Sequence, residues 1–86
     1  MKTLAIVILN YNGKKHLQTY LPSVVECSEG HDILVIDNGS LDDSIHYMSL
    51  TFPTVQLIQL KNNVGFAQGY NDGLARIEGR YKHYLL

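Results

Sequence analysis

Apolar runs and helix-period stripes alternate along this chain. Leu4-Ala5-Ile6-Val7-Ile8-Leu9 is uninterrupted and ends at Asn10-Tyr11-Asn12-Gly13. An unbroken apolar run is what a strand buried on both faces looks like. From Lys14 to Cys27, apolar residues recur at Leu17, Leu21, Val24 and Val25, which is helical spacing. Pro22 lies inside that stripe, so it predicts either two short helical pieces or one kinked helix, closed by Gly30. Ile33-Leu34-Val35-Ile36 is the second buried strand and runs straight into Asp37-Asn38-Gly39-Ser40. Ser40 is expected to cap the next helix, with Asp42 and Asp43 in its first turn and Leu41, Ile45 and Met48 on its inner face. Pro53 closes that segment. Val55–Leu60 predicts a third strand, less uniformly apolar, as at a sheet edge.

The stripe Phe66, Tyr70, Leu74, Ile77 predicts a third helix from Gly65 to Ile77. Gly69 and Gly73 lie four apart within it. Each costs about 1 kcal/mol relative to Ala, so close approach of backbone or ligand is expected there. Gly79 stops the helix, and a fourth strand begins at Tyr81. Asn12-Gly13 and Asn38-Gly39 are also hairpin signals, but helix-periodic sequence follows both, which excludes hairpins. Strand–helix alternation of this kind predicts an α/β fold: a parallel sheet of about four strands with helices on both faces.

The chain of 86 residues is one domain at most. Its apolar fraction of 45% excludes disorder, and a net charge of -1 leaves no basic excess for nucleic acid. Cys27 stands alone, so no internal disulfide is possible, which fits a reducing compartment. Leu4–Leu9 is too short for a membrane span or a signal-peptide core. Location in the cytoplasm or at the inner face of the membrane is therefore expected. Without a secretion signal, the glycosylation pattern Asn38-Gly39-Ser40 is read as coincidence. Tyr81–Leu86 opens a strand without a closing turn, so a truncated domain is expected, with an open apolar edge that promotes self-association.

Polar residues gather where the strands should end at one edge of the sheet: Asn10, Tyr11 and Asn12, then Asp37, Asn38 and Ser40, then Asn62, Asn63 and Gly65. In parallel sheets ligands bind in that crevice. Amides, one carboxylate and helix N-termini suit a nucleotide, with Tyr11 available for stacking. No Gly-x-Gly-x-x-Gly follows the first strand and no phosphate-binding Gly-x-x-x-x-Gly-Lys-Ser/Thr is present. His16, His31, His46 and His83 have no metal-ligand spacing with Cys27.

Val7–Gly13, Val35–Ser40 and Asn62–Gly73 (Asn-Asn-Val-Gly-Phe-Ala-Gln-Gly-Tyr-Asn-Asp-Gly) together resemble the family 2 inverting glycosyltransferases, in their rhamnosyl- and galactofuranosyl-transferase-like branch. The resemblance implies the N-terminal, nucleotide-binding half of a GT-A, Rossmann-like fold. It implies that Asn10, Tyr11 and Asn12 contact the base and that Asp37 contacts base or ribose. Asn63 and Gly65 would form the loop beside the nucleotide, and Asn71 a polar position on the following helix. It further implies a UDP- or dTDP-sugar donor and a glycan or lipid-linked acceptor, as in polysaccharide biosynthesis. The divalent cation, magnesium or manganese, and the catalytic base belong to acids expected past Leu86. Nucleotide binding, without cation or catalysis, is then what these residues carry. A small flavodoxin- or receiver-like binding module is the alternative, with Asp37 its best feature.

Overall fold

The computed structural model describes residues 4–28, 30–81 and 83–85. Four strands and three helices alternate: β1 (Leu4–Asn10), α1 (Lys14–Cys27), β2 (Asp32–Asn38), α2 (Ser44–Thr51), β3 (Gln56–Leu60), α3 (Phe66–Ala75) and β4 (His83–Leu85). The sheet is wholly parallel, in the order β3-β2-β1-β4. Going from β1 to β2 to β3 the chain moves one way across the sheet, and from β3 to β4 it returns past β1. Crossovers of one hand then require α1 and α2 on one face and α3 on the other.

The core shows that division. Successive strand residues point to opposite faces. Ile33 and Val35 pack with Leu17, Leu21 and Met48 on the two-helix face. Leu34 and Ile36 pack with Ala5, Val7, Leu60 and Ile77 on the α3 face. Burial on both sides is why β2 reads as a continuous apolar run. The partial exposure of Gln56, Leu57 and Ile58 marks β3 as an edge strand. Leu85, on the β4 edge where self-association was expected, is exposed.

Gly69 and Gly73 are the buried residues of α3. A Cβ on Gly69 would come within 3.0 Å of Asn38 Nδ2 and 3.1 Å of Leu9 Cδ1. A Cβ on Gly73 would overlap the side chain of Ile36. The close approach expected from the sequence is thus the seat of α3 against the sheet, and its partners include a candidate site residue, Asn38.

Of the two expectations for α1, the single helix holds, with Pro22 on its exposed side; the burial of Leu17 and Leu21 offsets the lost hydrogen bond. Other local expectations are corrected. α2 begins at Ser44, not after Ser40, because the hydroxyl and amide of Ser40 bond Asp37 instead. Asp42 and Asp43 therefore precede α2 rather than fill its first turn, and Leu41 is 88% exposed rather than on an inner face. α3 ends at Ala75, two residues before its predicted end, and Phe66 at its start is exposed, edge-on to Tyr70 at 5.1 Å. The strand expected from Tyr81 is formed by His83–Leu85.

Candidate functional site

Asp37 and Asn10 are register partners at the carboxyl ends of β2 and β1. Asp37 is 1% exposed. A carboxylate so deeply buried needs partners, and the neighbouring loops supply them. Its Oδ1 accepts hydrogen bonds from Asn10 Nδ2 at 3.0 Å and from the Ser40 hydroxyl at 2.7 Å. Its Oδ2 accepts the Ser40 amide at 2.9 Å. Ser40 can turn back because Gly39 stands at φ 77, in the left-handed region open to glycine. A Cβ there would lie 2.7 Å from the Asn62 backbone, so this glycine also lets the loops after β2 and β3 touch.

A second set of bonds joins the loops after β1 and β2. The Asn12 amide donates to Ser40 Oγ at 2.9 Å. Asn12 Oδ1 accepts the amides of Leu41 at 2.7 Å and Asp42 at 3.2 Å. Asp42 accepts the Lys14 amide at 3.2 Å on one oxygen, and the amide and hydroxyl of Ser44 on the other. Reduced solvation of the Asp42 carboxyl works to raise its pKa. The hydrogen bonds from Ser44 and Lys14 outweigh that and hold it below the usual 3.8.

A third set ties the end of β2 to the loop after β3. Asn38, also buried, donates from Nδ2 to Asn63 Oδ1 at 3.2 Å and to the Gly65 carbonyl at 3.1 Å. Its Oδ1 accepts the Val64 amide at 3.1 Å, while Asn63 Oδ1 also accepts the Gly65 amide at 2.8 Å. So the structure brings Asn10, Asn12, Asp37, Asn38, Asn63 and Gly65 into one hydrogen-bonded ridge. Tyr11, between Asn10 and Asn12 in the chain, is 44% exposed. Asn71 is exposed on α3 and, among the described residues, makes no side-chain hydrogen bond to the ridge.

Asp37, Gly39 and Ser40 line a cleft of about 530 Å³, together with Ile45, Gln59, Leu60, Lys61 and Arg76. A neighbouring hollow of about 400 Å³ shares Leu60, Lys61 and Arg76 with it. Arg76 reaches across to the Gln59 carbonyl at 2.8 Å. The sequence reading missed Gln59, Lys61 and Arg76 as wall residues and missed Asp42 as a bridge. The position of Lys61, first after a strand at the ligand edge, was a usable signal. Arg76 offered none, because it lies just past the end of α3, far along the chain from Asp37. The strand order reverses between β1 and β4, the place where α/β sheets open a crevice. Beside the carboxyl end of β1 lies a smaller apolar recess of about 150 Å³, lined by Ile8, Leu9, Asn10, His16, Leu17, Tyr20, Leu21 and Val24. Among the described residues no group of three His, Cys, Asp or Glu could hold a metal ion.

The glycosyl transferase family 2 model matches residues 5–85. The chain is also 32% identical over 80 residues to an uncharacterized glycosyltransferase, YfnE, of Bacillus subtilis (strain 168). The alignment covers 87% of this chain and 20% of that relative, so the chain spans about a fifth of the relative's length. The chain belongs to glycosyl transferase family 2, and its parallel sheet with three helices has the architecture of the N-terminal half of a GT-A, Rossmann-like fold. No helix among the described residues is long and apolar enough to cross a membrane.

Proposed function

We propose that this chain forms the donor-nucleotide half of a glycosyltransferase that uses a UDP- or dTDP-sugar and transfers it, with inversion, to a glycan or lipid-linked acceptor. The observation that carries the reading is the Asp37 ridge with the exposed Tyr11 ring beside it. A base can stack on that ring. Asp37 Oδ2 accepts one hydrogen bond from the protein and has capacity for another, suited to a base or ribose donor. The other oxygen is committed to Asn10 and Ser40, which fixes the carboxylate in place. Asn10, Asn12 and Asn38 hold the ridge through the hydrogen bonds their side chains make between loops. For the whole enzyme the proposal includes a divalent cation, magnesium or manganese, on the donor diphosphate.

The receiver-like alternative is disfavoured by the family: the glycosyl transferase family 2 model matches residues 5–85, nearly the whole chain. Isothermal titration of UDP and dTDP into the chain tests the proposal, with Asp37→Ala as control. Binding of at least one nucleotide, weakened about tenfold or more by the substitution, is expected for a lost charged hydrogen bond. Equal binding by both proteins removes Asp37 from the site.

A further inference from the structure

We infer that Asn12 and Asp42 are positioning residues, acting through the loops they join rather than on the ligand. The inference rests on the nucleotide-site reading above. Neither α1 nor α2 receives a side-chain cap from its own N-cap residue, Gly13 or Asp43. The first amides of a helix lack intrahelical partners and need them from outside. A single carboxylate supplies both helices: Asp42 accepts the Lys14 amide at the start of α1 and the Ser44 amide at the start of α2. Asn12 locks the arrangement from the other side. Its Oδ1 accepts two amides of the Asp42 loop, and its own amide bonds Ser40 Oγ. These bonds span 28 to 30 residues of chain, so they join separate loops rather than tighten one turn.

The consequence falls on Tyr11. It lies between Asn10, bonded to Asp37, and Asn12, bonded to Ser40, Leu41 and Asp42. The ring is exposed while the backbone on both sides of it is pinned. An aromatic platform held this way loses little freedom when a ligand stacks on it. Asn12 is suited to its place for a second reason. Its φ of 51 is in the left-handed region, which Asn tolerates better than most residues.

The chemistry of the amide separates positioning from contact. A positioning role uses Oδ1 as acceptor; a contact with the ligand would use the Nδ2 donors. Asn12→Gly keeps the left-handed backbone and removes both. Asn12→Asp keeps the acceptor and removes the donors. Titration of UDP and dTDP into the chain should show affinity about tenfold weaker for Asn12→Gly, as for two lost hydrogen bonds, and largely restored in Asn12→Asp. Asn12→Asp as weak as Asn12→Gly, or Asn12→Gly as tight as the unsubstituted chain, overturns the inference. Hydrogen exchange supplies a readout that needs no ligand. The Leu41 and Asp42 amides should exchange at least about tenfold faster in Asn12→Gly and stay protected in Asn12→Asp, with β2 amides unchanged. Equal protection in all three proteins overturns the clasp. An unsubstituted chain that binds neither nucleotide overturns the site reading instead, and the exchange result then decides the clasp alone.

Discussion

β2 carries an acid at its start and another near its end, and the two are used differently. Asp32 takes part in a fold anchor. The Tyr81 hydroxyl donates to it, Gln56 Nε2 lies 3.4 Å from it, and Arg80 holds Gln56 at 2.8 Å while standing 5.7 Å from the Tyr81 ring. That cluster joins β2, the start of β3 and the segment before β4. Asp37 joins loops instead, and its partners are short polar residues from turns. Equal polarity at the two ends of a strand thus serves two purposes. At the amino end it fastens strands, and at the carboxyl end it joins the loops of the proposed nucleotide site.

The largest expected effect separates the two acids. Asp37→Ala should lose nucleotide binding and about 3 kcal/mol of stability, because buried Asn10 loses a charged partner and the half-buried amide and hydroxyl of Ser40 lose their acceptor. Asp32→Ala should destabilise too, yet a folded fraction should bind nucleotide as before. Urea unfolding read beside titration checks both. Loss of nucleotide affinity in Asp32→Ala would break the comparison.

Tyr81→Phe comes next. It removes only the hydroxyl that donates to Asp32 and should cost about 1 kcal/mol in urea unfolding, with nucleotide affinity untouched. The smallest effects are in pH. Burial, aided by the hydrogen bond to Asp32, pushes the Tyr81 hydroxyl above its usual 10.0. A group whose folded pKa is raised contributes fully below its unfolded pKa, so this contribution is complete below about pH 10 and is lost as pH rises beyond it. Asp42 behaves in the opposite sense. Its pKa is lowered, so its contribution is present above 3.8 and is lost as pH falls below that value. Unfolding curves of Tyr81→Phe and Asp42→Asn should therefore lose part of the alkaline and acid slopes, respectively. Unchanged slopes would remove these groups from the linkage.

The fold was largely legible because burial leaves a direct imprint on residue type. Leu4–Leu9 of β1 and Ile33–Ile36 of β2 are apolar since both faces are covered, and the Gly69–Gly73 pair announced a close approach that Leu9, Ile36 and Asn38 supply. The family motifs were legible for the same reason the ridge exists: Asn, Asp, Gly and Ser recur where turns must bond one another. What each polar atom faces was not legible. Ser40 reads as a helix cap because a serine before two acids has that pattern, but Asp37 lies three residues back and takes both its donors. Arg76 became a cleft wall through a tertiary reach to Gln59 that no local pattern records.

Both Asn-Gly pairs of this chain sit in the ridge, and that bears on how the protein ages. An asparagine followed by glycine loses its amide nitrogen when the glycine nitrogen attacks the side-chain carbonyl carbon. The attack requires the side chain to swing over the backbone. Asn12 and Asn38 are restrained from that swing by the bonds their side chains make to neighbouring loops. The hydrogen bonds that arrange the surface thus also preserve it chemically. On storage, deamidation at either position, read by peptide mass spectrometry, should be slow in the folded chain and rapid once urea opens the loops. Equal rates in the two conditions would show that the folded loops give no such protection.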